Sequence, residues 1–554
     1  MRSEVERTMV QTTEEKFGRW LERFLEEMVP LERAFALAHW RASTKGRPED
    51  AARLATAEGA YRGLFANRGH FSFLKALAAD GGVADPVLAR QLDLLVREFE
   101  GNQMEEVVLK RMVALRVELD STFNNFRATL GGQKVSDNRL REVLRDSSDG
   151  AEVRTAWEAS KQIGPEAAPK ILELVEVRNS VARALGYADF QDMSLRLDEI
   201  DPEWLFRLLE EMEEVTAAPY KALKERIDAA LSARFGIDAE DLGPWHYGDP
   251  FFQSAPRTGS VDLDAFYRKA DLPAMTVRFY DGLGLDIRSI LDESDLLERE
   301  GKCQHAFCAD MDRRGDVRVL ANLKPTEHWM GTMLHEFGHA VYDQCFDPAL
   351  PHILRGPAHI SSTEAIAMLF GRISKDRRFL VEIAGADPAA AAEASSAAQE
   401  ELRADQLIFL RWAMVVVHFE RELYRNPGGD LSTLWWDLVE RFQGLRRPEG
   451  RTGPDWASKI HIATSPVYYQ NYILGELTAS QIQQHILSKV LLAGADGGLG
   501  SLIGRREVGD FLREQVFRPG RQWPWQEMLR QATGSPLEAS HWVEEVSGAA
   551  VKVG

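Results

Sequence analysis

Gly331-Thr332-Met333-Leu334-His335-Glu336-Phe337-Gly338-His339-Ala340-Val341-Tyr342 carries two histidines four residues apart, with a glutamate beside the first. Met333, Leu334, Phe337, Ala340 and Val341 recur at helical spacing, so the segment reads as a buried helix. Positions i and i+4 share a helix face, which brings both imidazoles within reach of a single zinc ion. Glu336 stands where a carboxylate can take a proton from an attacking water. A buried His-Glu-His set without a cation carries a desolvation cost that little else in the chain offsets. The competing reading is a structural histidine pair satisfied by its neighbours.

A catalytic zinc needs a third protein donor and leaves a fourth position open. Downstream, residues 350–357 hold two prolines and a glycine and read as a loop. They lead into Ser361-Ser362-Thr363-Glu364-Ala365-Ile366-Ala367-Met368-Leu369-Phe370, apolar enough to form a second buried helix. Ser361 or Ser362 suits the N-cap, and Glu364 then falls in the first turn. An acid on an apolar helix needs a positive partner; zinc is one, and the helix dipole is the other explanation. Beside the upstream motif, His335, His339 and Glu364 form the expected set, holding one Zn2+ per chain.

The chain has 554 residues, 44% of them hydrophobic and 28% charged, enough to bury a large core. A net charge of −19 argues against nucleic-acid or anionic-membrane partners. Cys303, Cys308 and Cys345 form no disulfide framework. The N-terminal residues lack the apolar core of a signal peptide, and the apolar run 407–419 is too short to span a bilayer. The expectation is a cytoplasmic protein.

Most of the chain carries helical periodicity. Phe17, Trp20, Leu21, Phe24, Leu25 and Met28 fall on one stripe within a helical region 14–77, and residues 85–130 continue the style up to Gly131-Gly132. Loops at 146–150 and at Gly164-Pro165 separate further helices, including an amphipathic candidate at 172–185. The Ala-rich tract 389–398, running on into 400–419, reads as one long helix, and the glycine-rich stretch 493–504 as a surface loop. Two segments, 303–311 and 317–323, lean towards strand and are joined by Asp312-Arg313-Arg314-Gly315-Asp316, good turn chemistry. Such an edge strand can hold an extended peptide, or it can simply pack the helix that follows.

The segment Lys459-Ile460-His461-Ile462-Ala463-Thr464-Ser465-Pro466-Val467-Tyr468-Tyr469-Gln470-Asn471-Tyr472 crowds a lysine, a histidine and three tyrosines together. Peptide hydrolysis at zinc develops an oxyanion, for which Tyr O–H and His N–H are suitable donors. Lys459 is a ready partner for a substrate carboxylate. Plain packing is the alternative use of such a tyrosine cluster.

After about residue 140 these blocks, in this order, resemble the angiotensin-converting enzyme family of zinc peptidyl-dipeptidases. The similarity runs from Trp157-Glu158 and Gly164-Pro165 through Ala182-Arg183-Ala184-Leu185-Gly186-Tyr187, His305-Ala306, the His335–His339 motif and Glu364-Ala365-Ile366. It ends at Trp523-Pro524-Trp525 and Thr533-Gly534-Ser535-Pro536. The resemblance implies that His335, His339 and Glu364 bind zinc and that Glu336 is general base and later proton donor. It implies that His461 and Tyr472 stabilise the oxyanion. It also implies that His305 and Ala306 pair with the substrate backbone, and that Lys459 and Tyr469 grip its C-terminal carboxylate. The fold implied is mainly α: two helical halves around a deep substrate cleft, with a small β-hairpin beside the zinc helix. Residues 1–554 would form one peptidase domain, about 1–140 being a helical lid and 141–554 the catalytic body.

The chain departs from that pattern in several places. The span from His461 to the tyrosine pair is one residue longer, so Tyr468 competes with Tyr469. Asn471 stands in place of a chloride-binding arginine, which argues against chloride activation. Met368 replaces an aspartate that buttresses a zinc ligand, leaving Asp343, one turn beyond His339, as the candidate substitute. No match for the family's carboxylate-binding glutamine appears around Trp245, His246 and Tyr247. The Phe337-Gly338 wording and the tyrosine segment also resemble thimet oligopeptidase and oligoendopeptidase F. The expectation is therefore a metallopeptidase acting on short peptides, releasing C-terminal dipeptides. Its rivals are an endo-acting oligopeptidase, a carboxypeptidase and a non-catalytic zinc- or peptide-binding protein.

Overall fold

The computed structural model describes residues 12–256, 262–492 and 498–547. Helices dominate, and among the described residues the sheets are two antiparallel pairs: Ala128–Leu130 with Gln133–Val135, and Phe307–Asp310 with Val317–Leu320. The mainly-α expectation is met.

The first four helices, Thr13–Lys45, Pro48–Phe65, Arg68–Asp80 and Pro86–Gly101, build a core of their own. Thr12 and Glu15 cap the first helix reciprocally, and its predicted stripe buries Phe17, Trp20, Leu21, Phe24 and Met28. Phe65, Leu74, Leu95 and Phe99 close that core from the other helices. Two residues from far along the chain, Ile353 and Leu354, are part of it.

The main core begins at Leu115, on the helix Glu106–Asn125, and takes in most of the remaining chain, while Trp40, Met311 and Leu320 form a small cluster apart. The helical reading up to Leu130 is corrected at its end. There Gly131 and Gly132, at φ 58° and 80°, turn a short hairpin instead. Gly164-Pro165 is corrected likewise. It opens the helix Gly164–Ala184, with proline in the first turn where its missing N–H costs nothing. Of the stretch 493–504, residues 493–497 lie outside the described residues. The turn Leu499–Leu502 buries Leu499 and Leu502 and is not a surface loop.

The long helix expected from the alanine tract runs Pro388–Arg425, capped by Asp387. From Gln406 to Glu420 every residue but Phe409 is buried, so the apolar run is the centre of the core. No helix among the described residues is long and apolar enough to cross a membrane.

Candidate functional site

The helix Glu327–Gln344 presents His335 and His339 on one face, and the helix Ile360–Gly371 presents Glu364 towards them. Small residues let these helices meet. A Cβ on Gly338 would stand 3.0 Å from the Ala367 Cα, and one on Gly371 would stand 3.3 Å from the Gly331 carbonyl oxygen. The tyrosine helix Tyr469–His485 closes in from the other side, where a Cβ on Gly475 would stand 3.4 Å from the Glu364 Cβ. The expected cap is corrected: His359, whose Nδ1 accepts the Ser361 amide, is the N-cap. Glu364 therefore sits in the second turn, so the helix dipole no longer accounts for it.

His335 Nε2 and His339 Nε2 lie 3.7 and 3.9 Å from Glu364 Oε2, and the donor atoms of all three residues fall within 4.8 Å of one another. Tetrahedral zinc with bonds near 2.0–2.1 Å sets its ligand atoms about 3.3–3.5 Å apart, so the donor set fits such an ion with small adjustments. Burial lowers His335 to about 4, and burial with the charge of His335 lowers His339 to about 3. Both rings are thus neutral at pH 7, the form that offers a lone pair to a metal. His339 Nδ1 lies 2.6 Å from the Thr363 hydroxyl, which fixes the ring so that Nε2 faces Glu364. Asp343 does not take that role. Its carboxylate lies against the Cys308 thiol, 3.9 Å away.

Glu336 is buried on the same helix. Burial raises its carboxyl to about 8, reinforced by the Glu364 charge and opposed by the Cys308 backbone amide. That amide belongs to Phe307–Asp310, which pairs only with Val317–Leu320 and is an edge strand among the described residues. His305 and Ala306 lie just before the strand, not in it; His305 is exposed and Ala306 half-buried. The ladder starts late because the preceding segment is tied elsewhere. The Cys303 amide donates to the Ser43 carbonyl, and the Lys302 ammonium donates to the Asp295 and Leu297 carbonyls at 2.8 and 2.9 Å.

Tyr472 and Tyr468 are half-buried, and burial, with the Glu364 charge second, holds both phenols above their ordinary range. Their rings are 5.2 Å apart. Tyr469 is 2% exposed and packs 5.5 Å from the His461 ring and 5.9 Å from the Lys459 ammonium. Of the two competing tyrosines, Tyr469 is thus the one beside Lys459, while both pack against Tyr472. Burial, helped by the Lys459 charge, lowers His461 to about 4, leaving a neutral ring with an N–H to donate.

Lys459 is buried between Phe251 and Trp412 and donates to Gln253 Oε1 at 2.8 Å. Burial lowers it to about 8, with Asp249 pulling the other way. Asp249 also accepts the amides of Phe251 and Gln253, building the turn that presents the glutamine. Past Gln253 opens a cavity of about 230 Å³ walled by Met212, Phe409, Leu410, Ile473, Leu477 and Trp542. The sequence reading missed Gln253, Thr363 and the Cys308 amide. Only Thr363 had a usable signal, being a hydroxyl beside Glu364 on the helix facing His339.

The profile of the peptidase M2 family, described as Angiotensin-converting enzyme, matches residues 11–239 and 261–543. The chain is 25% identical to rat angiotensin-converting enzyme over 469 residues, covering 74% of the chain and 33% of the relative. The mouse enzyme is 26% identical over 480 residues, covering 74% and 34%. Carboxypeptidase 1 of Bacillus subtilis (strain 168) is 22% identical over 430 residues, covering 72% and 76%. The chain thus spans about a third of the length of the two mammalian relatives. The family match takes in both histidines, Glu336, Glu364 and the lysine–tyrosine segment, and the chain belongs to the angiotensin-converting enzyme family.

Proposed function

We propose that this protein is a zinc-dependent peptidase that removes dipeptides from the free C-termini of short peptides. The observation that carries the reading is the metal-ready triad with Glu336 beside it, connected through Tyr472 and Tyr469 to a buried lysine able to take a carboxylate. A zinc ion held by His335, His339 and Glu364 would supply Lewis acidity to water and to the scissile carbonyl. Glu336, as the carboxylate that a bound cation would favour against its burial, accepts the proton of the attacking water and passes it to the leaving amine. Tyr472 O–H and the neutral His461 N–H donate to the oxygen that gains charge. Phe307–Asp310 offers an unpaired edge along which the peptide backbone lies, with His305 and Ala306 at its entrance.

Lys459, Tyr469 and Gln253 receive the C-terminal carboxylate and so count the residues beyond the cut. The cavity past Gln253 suits an apolar C-terminal side chain. The name of the Bacillus relative keeps a second reading in view, release of single C-terminal residues. Zinc-loaded protein is incubated with free and C-terminally amidated peptides of five to fifteen residues, and product masses are read. Dipeptides released only from free C-termini support the proposal. Single residues favour the carboxypeptidase reading, internal cuts indifferent to amidation favour an oligopeptidase, and no cleavage leaves a zinc- or peptide-binding protein.

A further inference from the structure

Two buried polar side chains outside the chemistry above fix the backbone between His461 and Tyr469. Arg178, on the helix Gly164–Ala184 and 5% exposed, donates from Nη2 to the Ala463 carbonyl at 3.0 Å and from Nη1 to the Tyr424 hydroxyl at 3.1 Å. Glu420, on the long helix and 1% exposed, accepts the Val467 amide at Oε1, 2.9 Å away. The Val467 carbonyl in turn accepts from Gln470 Nε2 at 2.6 Å.

Val467 has φ 52°, the left-handed region, where a β-branched side chain crowds its own backbone. It is 7% exposed, so its side chain is held in packing. A strained residue of this kind persists only where surrounding groups over-determine it. The strain sits between the short helix Ile460–Thr464, which carries His461, and the tyrosine helix, which carries Tyr469 and Tyr472. The angle between these helices decides where the two oxyanion donors stand relative to the triad.

We propose that Glu420 is a positioning residue: by holding the Val467 amide it keeps the turn left-handed and sets His461 and Tyr472 in register over the metal donors. Arg178 anchors the other end of the segment at Ala463. The inference rests on the peptidase reading above, and Glu420 acts only through the backbone.

The test compares Glu420→Met, which keeps the volume and loses the acceptor, with Glu420→Gln, which keeps an acceptor oxygen. Both are paired with Val467→Gly, since glycine adopts the left-handed conformation unaided. Peptide hydrolysis, zinc content and Tm are measured on zinc-loaded protein. The expected result is a kcat loss of about ten- to a hundredfold in Glu420→Met at unchanged zinc content. Glu420→Gln stays near wild type, and Glu420→Met/Val467→Gly recovers most of the loss. A Glu420→Met protein with wild-type kcat overturns the proposal. So does a double variant that recovers nothing, or one that unfolds or loses zinc with or without Val467→Gly. Failure of the wild-type protein to cleave any peptide would instead overturn the peptidase reading itself.

Discussion

The ammonium of Lys459 stands 2.8 Å from the side-chain oxygen of Gln253, across 206 positions of sequence. Among the described residues no carboxylate hydrogen-bonds to either side chain, Asp249 being engaged with the Gln253 backbone amide, so the pair is ready to receive one from a ligand. Lys459→Met should raise KM for peptides with free C-termini by roughly 10–100-fold, the worth of a hydrogen bond to a charged group. Amidated peptides should be unaffected. Because burial brings Lys459 down to about 8, the cation is present below that pH and is lost above it. KM for free peptides should therefore climb as pH passes 8 in the wild type and stay flat in Lys459→Met. Steady-state kinetics on paired free and amidated peptides from pH 6 to 10 gives both answers.

Glu336→Gln leaves every metal donor in place and removes only the proton acceptor. Zinc content by elemental analysis should match the wild type while kcat falls by roughly 10²–10⁴-fold. Full activity with zinc bound would remove Glu336 from the chemistry.

Thr363 holds the ring of His339 through Nδ1. Thr363→Val keeps the shape and loses the oxygen, and zinc affinity measured by competition with a chelator should fall roughly 10–100-fold. Thr363→Ser should keep it. Stripping the metal from the wild type should lower Tm and abolish hydrolysis, because an ion bound only by the folded chain stabilises it.

How much of this was readable from the amino-acid sequence depended on distance along the chain. His335 and His339 are four residues apart, so periodicity alone put them on a shared face, with Glu336 next to the first in sequence. Glu364 followed from a loop and a second apolar helix, although its cap moved from serine to His359. Gln253 was not legible, since nothing local in residues 249–256 marks a partner for a lysine two hundred positions away. Asp343 had the right spacing from His339, yet its side chain turns to Cys308, a contact set by strand packing that periodicity does not carry. His305 and Ala306 had strand-like neighbours, but Lys302 and Cys303 spend their hydrogen bonds outside the ladder and delay it to Phe307.

Lys161 supplies a prediction on stability. It is 3% exposed, donates to the Pro250 carbonyl at 2.7 Å and lies 3.5 Å from the centre of the Phe251 ring. Burial lowers it from 10.5 to about 7, with Asp455 and Asp249 opposing. Between those two values the unfolded chain binds more protons than the folded one, so this group makes stability rise with pH across that window. Comparing Lys161→Met with wild type isolates the effect: the variant should gain less Tm between pH 7 and pH 10. Equal slopes would mean the buried amine keeps its ordinary affinity for protons.

Ile353 and Leu354 belong to the core of the first four helices, and in sequence they fall between His339 and Glu364, two of the residues that could hold a metal ion. A rigid outward movement of those helices would therefore pull on the loop between His339 and Glu364. On the proposed reading, admission of a peptide and the grip on an ion would be linked like a door and its frame cut from one piece. Substitutions at Phe24 or Phe99, in the same core, would then reach the candidate donor set through that shared piece.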